Sequence, residues 1–317
     1  MATSPRQPPS LTCLASFLAV VEHGTFTAAA VALHRAQPRV SAHIATLEKH
    51  LGTALLTRGP RRVELTAAGS AYLPHATAAL NELRDGDDAV RAVSSTMQGR
   101  VRIGGYPGAM AVFIAPLVRR FRALYPGVEV ELREADPAVL EDLVATGEID
   151  LAVRTADVPQ RHHNVPSEEL FFERIQMVTR RDHRPTLSTM ADPSSLEGIT
   201  VIVSGDPQGG WQDYRDRLDR IGVEPREMIT VVQPTTVVAL VREGLGVGLL
   251  GALAARVTID DELSVTDLPE PLWLREIRVY HRNQRSPDAA VSAFAELLRA
   301  EAPALTAGRT VWHSRAI

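Results

Sequence analysis

The period of the hydrophobic residues changes once along this chain, near residue 99, and that change divides it into two kinds of structure. Before it, apolar side chains recur every three or four residues, the spacing of amphipathic helices. After it, short β-branched runs alternate with helical segments, as in a sheet flanked by helices. One hydrophobic core does not serve both patterns, and 317 residues suffice for two or three compact units.

In the first part, Ser10 is placed to cap a helix carrying Leu11, Leu14, Phe17, Leu18 and Val21, which Gly24 ends. Thr27 starts a short alanine-rich helix that runs to about Leu33, and His34, Arg35 and Ala36 make a turn. Pro38 then fits the first turn of a third helix, with Val40, Ile44, Leu47 and Leu51 on its buried face and Gly52 closing it. Leu55 to Leu65 alternate around Arg58-Gly59-Pro60-Arg61-Arg62, the composition of a hairpin with a basic tip. Thr66 caps a long helix reaching about Val93, on which Leu73, Ala76, Leu80, Leu83 and Val90 form a 3.5-residue seam suited to pairing with a twin; Asp87 interrupts it.

From Gly99 the expected order is strand 101–104, helix 109–124, strand 128–133, helix 137–146 and strand 149–153. Strand 201–204, a helix through Trp211 to Ile221, strand 229–232, helix 237–243 and strand 247–250 repeat the scheme, and strand 277–281 with helix 289–300 returns to the first half. The division this gives is a head at 1–66, a linking helix at 67–98, a two-lobed domain at 99–303 and a tail at 304–317.

The net charge of -4 is unevenly spread. Residues 1–98 hold nine Lys and Arg against seven Asp and Glu, whereas 99–317 hold 25 against 31. A modest positive excess suits a DNA reader that gains further affinity by dimerising, since phosphate neutralisation supplies much of the binding. The single cysteine, Cys13, excludes an internal disulfide and reads as a core residue. The first ten residues are polar and proline-rich, with no apolar stretch of bilayer length or secretory type after them, so the expectation is a cytoplasmic protein with no membrane partner.

A helix-turn-helix presents polar groups from its second helix to base edges in the major groove. Residues 26–45 fit, with Gln37, Pro38, Arg39, Ser41 and His43 near the start of the exposed helix and Thr27 on the supporting one. Gln37 pairs in principle with adenine and Arg39 with guanine, Ser41 suits a phosphate, and Arg58, Arg61 and Arg62 at the hairpin tip form a wing for the backbone or minor groove.

The run from Phe17 through Glu22-His23-Gly24-Thr25-Phe26-Thr27-Ala28-Ala29-Ala30, Leu33-His34-Arg35-Ala36-Gln37-Pro38-Arg39-Val40-Ser41, Leu47-Glu48, Leu51-Gly52, Leu55-Leu56-Thr57-Arg58 and Leu65-Thr66-Ala67-Ala68-Gly69 resembles the N-terminal domain of LysR-type transcriptional regulators. The resemblance implies an α/β chain with a winged helix-turn-helix, a long linker helix and a two-lobed effector domain like type II periplasmic binding proteins, assembled as a homodimer or homotetramer on double-stranded DNA. Two positions depart from the family pattern: Ala36 stands for the usual Ser and Ala42 for the usual Arg, with Arg39 as the replacement contact.

In such a domain a small-molecule effector lies between the lobes, near strand ends and helix starts. The corresponding segments supply Tyr106, Pro107, Gly108 and Ala109, then Ser204 and Gly205, then Thr235 and Thr236. Gly108 occupies the place where family members often hold an effector carboxylate with Ser or Thr. Arg154 and Trp211 read equally as ligand contacts or as a salt bridge and a core aromatic. Gly246 to Gly251 has the spacing of a dinucleotide fingerprint, but the run is itself strand-like and follows a helix, so a helix end and buried strand are expected. His162-His163 reads as a surface loop. No catalytic residue, metal site or cofactor motif emerges, and the reading is a regulator, not an enzyme.

Overall fold

A computed structural model of the chain describes residues 9–58, 62–92, 97–183, 192–205, 212–283 and 288–307. It divides near residue 90 into two compact units.

The N-terminal unit comprises α1 (Leu11–His23), α2 (Phe26–Ala32), α3 (Gln37–Leu51), the antiparallel hairpin β1 (Leu56–Arg58) and β2 (Val63–Leu65), and the start of α4 (Ala67–Ala92). Gly24 and Gly52 end α1 and α3 in the left-handed conformation, as their positions predicted. The cap of α2 is Thr25, whose hydroxyl accepts from Ala28 N–H at 3.1 Å, and not Thr27, which lies within the helix. Ser10 stands at the cap position of α1 but bonds no backbone N–H there; its hydroxyl lies 3.7 Å from the buried Cys13 sulfur. Phe17, Val20, Ala29, Val40 and Leu47 are fully enclosed and form the centre of this core.

The expected twin-pairing seam on α4 is partly used at home. Ala76 is buried and Leu73 and Leu80 pack against the core of their own unit, leaving Leu83 exposed. A repeat of apolar residues reports that a face is covered and not which chain covers it. The Val90 and Asp87 side chains lie outside the described residues.

The C-terminal unit is built on one nine-stranded sheet. Its chain order is β3 (Gly99–Gly105), α5 (Pro107–Ala109), a π-helical turn (Met110–Ile114), α6 (Ala115–Leu124), β4 (Val128–Glu134), α7 (Pro137–Ala145), β5 (Leu151–Thr155) and β6 (Ser167–Arg180). After it come β7 (Thr200–Ser204), α8 (Gln212–Arg220), β8 (Glu227–Val231), α9 (Pro234–Arg242), β9 (Val247–Gly251), α10 (Ala252–Thr258), β10 (Leu263–Asp267), β11 (Leu274–His281) and α11 (Ala289–Ala307). The two predicted repeats are parallel three-stranded groups of like order, β4-β3-β5 and β8-β7-β9. β11 returns to the first lobe and pairs with β5, as expected. Helix α11 runs on through Pro303 to Ala307.

Strand β6 was not anticipated. Its 14 residues pair first with β11 and then with β9 and β10, so a single strand joins both lobes. Its sequence, Ser-Glu-Glu-Leu-Phe-Phe-Glu-Arg-Ile-Gln-Met-Val-Thr-Arg, carries too many charges at the start to read as a strand.

Glycines 246, 248 and 251 behave as the strand reading required. A side chain at Gly246 would meet the Thr200 carbonyl oxygen at 2.3 Å, and one at Gly248 would press on Val237 and Val241 of α9. The run is β9, entered from α9 through Gly244 in the left-handed region.

A buried ion pair stabilises the first lobe. Arg154 and Glu141, both without solvent exposure, meet at 2.8 Å, and Glu141 also accepts from Arg161 N–H at 2.8 Å and His162 N–H at 2.7 Å. The guanidinium lies 4.3 Å from the Tyr280 ring centre. Glu141→Ala should destabilise this unit by about 3–5 kcal/mol, because it strands a buried guanidinium. Urea denaturation followed by far-ultraviolet circular dichroism tests this; a change within about 0.5 kcal/mol, ordinary for a surface site, would refute it.

Candidate functional sites: a DNA-reading helix and an interlobe cleft

In the N-terminal unit the turn before α3 places His34 at a φ of 50°, and its close is fixed by Arg35 N–H donating to the Ala30 carbonyl at 2.9 Å. That turn leaves Arg35, Gln37, Pro38, Arg39 and Ala42 exposed, while Val40, Ile44 and Leu47 anchor the opposite face. Thr27 is exposed on α2, and Ser41 is half-buried. The predicted reading edge is therefore on the surface, with Gln37 and Arg39 on the first turn of the helix.

His43 has a different environment from the one expected of a DNA contact. It is half-buried, and its Nδ1 lies 2.8 Å from the hydroxyl of the buried Ser16. Burial, then the charges of Arg35 and Arg39, hold its pKa below the ordinary imidazole value, which favours a neutral ring. Its contact with Ser16 ties α3 to α1.

The hairpin is attached to α3 through Glu48, whose Oε1 accepts from Leu55 N–H at 2.8 Å and Leu56 N–H at 3.2 Å. Thr66 caps α4 through Gly69 N–H and donates to the Ala54 carbonyl, fixing the other end. Gly69 has no alternative here, since a Cβ would lie 2.0 Å from the Leu55 carbonyl oxygen. Arg62 is exposed on this hairpin, and Val63 N–H bonds the Gly24 carbonyl at 2.9 Å. Arg61 and the Arg58 side chain lie outside the described residues.

The C-terminal unit contains a cleft of about 250 Å³ between its lobes. Of the expected residues, Tyr106, Pro107, Gly108, Ser204 and Gly205 line it. Ala109 is fully buried behind them, and Thr235 and Thr236 are exposed on α9 outside it. Arg154 is engaged in the buried pair with Glu141, which resolves its two readings in favour of the salt bridge. Trp211 lies outside the described residues.

The floor of the cleft is built by groups that sequence spacing did not bring together. Glu173 of β6 and Arg275 of β11 are cross-strand partners, with the Arg275 guanidinium 2.7 Å from Glu173 Oε2. The same oxygen accepts from the Tyr106 hydroxyl at 2.8 Å, and Glu173 Oε1 accepts from Leu253 N–H at 2.8 Å. Burial, together with the negative charge of Glu173, pushes the Tyr106 pKa well up, so its hydroxyl stays a donor. Burial is the largest single influence on Arg275 and opposes its charge, but Glu173 together with Tyr214, Tyr106 and Asp157 outweighs it and raises the pKa.

Beside this pair, Arg217 is shared by two carboxylates, Asp213 at 3.0 Å and Asp157 at 3.1 Å, and donates to the Leu272 and Leu274 carbonyls. Burial and then the nearby Asp157 raise the Asp213 pKa, against the pull of Arg217. Glu173 and Arg275 are 102 residues apart, and no local pattern announces their pairing.

His162 Nε2 lies 2.8 Å from Asp142 in a loop, and no group of three or more potential ligands gathers as a metal site among the described residues. No single helix among them is long and apolar enough to cross a membrane.

Comparison with known proteins agrees with this two-part geometry. Residues 11–70 match the bacterial regulatory helix-turn-helix protein, lysR family, and residues 94–303 match the LysR substrate binding domain. The nitrogen assimilation regulatory protein nac of Escherichia coli is 31% identical over 245 residues, covering 76% of this chain and 77% of its own length. The transcriptional regulator AlsR of Bacillus subtilis is 29% identical over 244 residues, covering 76% and 80%. Among solved structures, CbnR, a LysR family transcriptional regulator, superposes with a TM-score of 0.70 at 22% identity over 92% of this chain and 99% of its own. With an exposed reading helix in one unit and a lined cleft in a substrate-binding unit, this chain belongs to the LysR family of bacterial helix-turn-helix transcriptional regulators.

Proposed function

We propose that this regulator reads its operator through the first turn of α3 and that a small molecule in the interlobe cleft sets how it does so. The observation that carries the reading is the exposed edge of Gln37 and Arg39 on a helix whose other face is locked into the core. Gln37 supplies an amide suited to adenine and Arg39 a fork suited to guanine. Ala42, exposed beside them, suits the methyl group of thymine, so its departure from the family pattern substitutes an apolar contact for a charged one. Thr27, Ser41, Arg62 and the rest of the hairpin supply backbone contacts that position the helix. CbnR, which this chain resembles in fold, has been crystallised in complex with its target DNA.

The protein acts as a homodimer or homotetramer in the cytoplasm, where its DNA lies. Occupation of the cleft by an effector favours one lobe arrangement over another, and the assembly transmits that preference to the spacing of its reading heads. Tyr106, Pro107, Gly108, Ser204 and Gly205 are the contacts retained from the sequence, joined by Arg275, Asp213 and Tyr214. No cofactor or catalysis is required.

Arg39→Ala should weaken discrimination at one base pair by roughly 1–3 kcal/mol, whereas Arg62→Ala should weaken binding to all duplexes alike. Fluorescence anisotropy with the operator and single-base variants, at two salt concentrations, measures both. Unchanged affinity in both variants would remove the contact assignment, and no binding of the wild type to any duplex at low salt would remove the reading itself.

The cleft also constrains what can stand at position 108. A Cβ there would lie 2.8 Å from Ala254 N, a backbone atom, so the backbone would have to shift. Gly108→Ser should therefore displace α10 from α5 and lower the melting temperature of this unit, with no gain in affinity for carboxylates. A variant that melts like the wild type and binds acetate or succinate would show that the space exists.

A further inference from the structure

The described groups that line the cleft carry an imbalance of charge. Glu134, Asp136, Asp157 and Asp213 face a single lining cation, Arg275. Both arginines near the floor are already engaged, Arg275 by Glu173 and Arg217 by Asp157 and Asp213 together with two backbone carbonyls. Asp213 and Asp157 share one guanidinium, which leaves negative charge uncompensated in a partly enclosed space. Burial and this like-charge neighbour both raise the pKa of Asp213, against the opposing pull of Arg217 and Arg275. Glu134 on the rim has no ion pair or hydrogen bond from its side chain among the described residues.

Among the described residues, two features that would favour an anion are weakened. Helices α5 and α9, which open on the cleft, each begin with a proline and so present one N–H fewer. Position 108 has no room for a hydroxyl.

Tyr214 is 3% exposed and lines the cleft, yet its hydroxyl makes no hydrogen bond among the described residues. The hydroxyl oxygen itself is not sealed off, and the cleft is the space it meets. It can accept a hydrogen bond from a ligand N–H while Asp213, one residue before it, faces the same space.

We infer that the effector of this regulator is a small organic cation bearing N–H donors, a primary amine or guanidine, held by the carboxylates of the cleft and by the Tyr214 hydroxyl. The inference rests on the cleft being the effector site. Charge complementarity selects such a ligand over an organic acid, and the donors satisfy the acceptors that the protein leaves open. A volume of about 250 Å³ confines it to a compact molecule.

The test uses the full-length protein, with agmatine and putrescine as cationic probes and succinate and glutarate as anionic ones, in calorimetry and thermal-shift measurements. The expected result is that at least one amine binds and raises the melting temperature, while the dicarboxylates do not. Tyr214→Phe should melt within about a degree of the wild type, since the hydroxyl has no protein partner to lose, and should bind the amine at least fivefold more weakly. Glu134→Gln should weaken it similarly. Binding of a dicarboxylate in place of the amines, weakened in Tyr214→Phe, would overturn the ligand class and leave the cleft as the effector site. Amine binding unaltered in both variants would place the ligand elsewhere and overturn the cleft reading as well. No binding of either class would overturn the cation inference, while operator binding by the same samples would show the DNA reading intact.

Discussion

The carboxylate of Glu173 is the contact on which the effector domain turns. It is almost wholly buried, and it gathers a hydroxyl from the β3–α5 corner, a backbone N–H from the start of α10 and a guanidinium from β11. A lone carboxylate at that depth would be strongly unfavourable, and only this set of donors makes its burial tolerable. The donors come from three elements distant in sequence, so satisfying one charge also fixes the positions of all three. Gly251 completes the arrangement by its lack of a side chain, since a Cβ there would collide with both members of the ion pair. The walls of the cleft are thus held in register by an electrostatic requirement as well as by apolar packing.

The N-terminal unit is organised differently. Its reading helix is held by apolar residues on one face and by the His43–Ser16 contact on its flank, while Glu48 secures the hairpin through two backbone N–H groups. The result is a rigid mounting for a short exposed edge. Side chains that must meet base edges gain from such support, because little is left to order on binding.

Much of this was legible in the sequence because the signals were local. Left-handed glycines after α1 and α3, the proline in the first turn of α3 and the hairpin composition all act within a few residues. Helical and strand periods located the two repeats of the larger domain. What was not legible depended on pairing at long range. Strand β6 begins with charges that look like a loop until β11 is laid beside it, where Glu173 faces Arg275. The α4 seam showed a covered face but not its cover, and Thr235 and Thr236 are exposed on α9 and are not among the residues lining the cleft. His43 had the right residue type at the right helical position, but only the fold brings Ser16 to it.

Strand β6 carries a mechanical implication. The lobes are joined by an unbroken length of hydrogen-bonded sheet, with β11 beside it at the boundary, and not by a pair of slack tethers. A ribbon of that kind twists readily and folds over poorly, because wide bending would rupture ladder bonds on one side. Change in the lobe arrangement should accordingly take the form of a rotation about the strand axis, a torsion bar more than a clamshell.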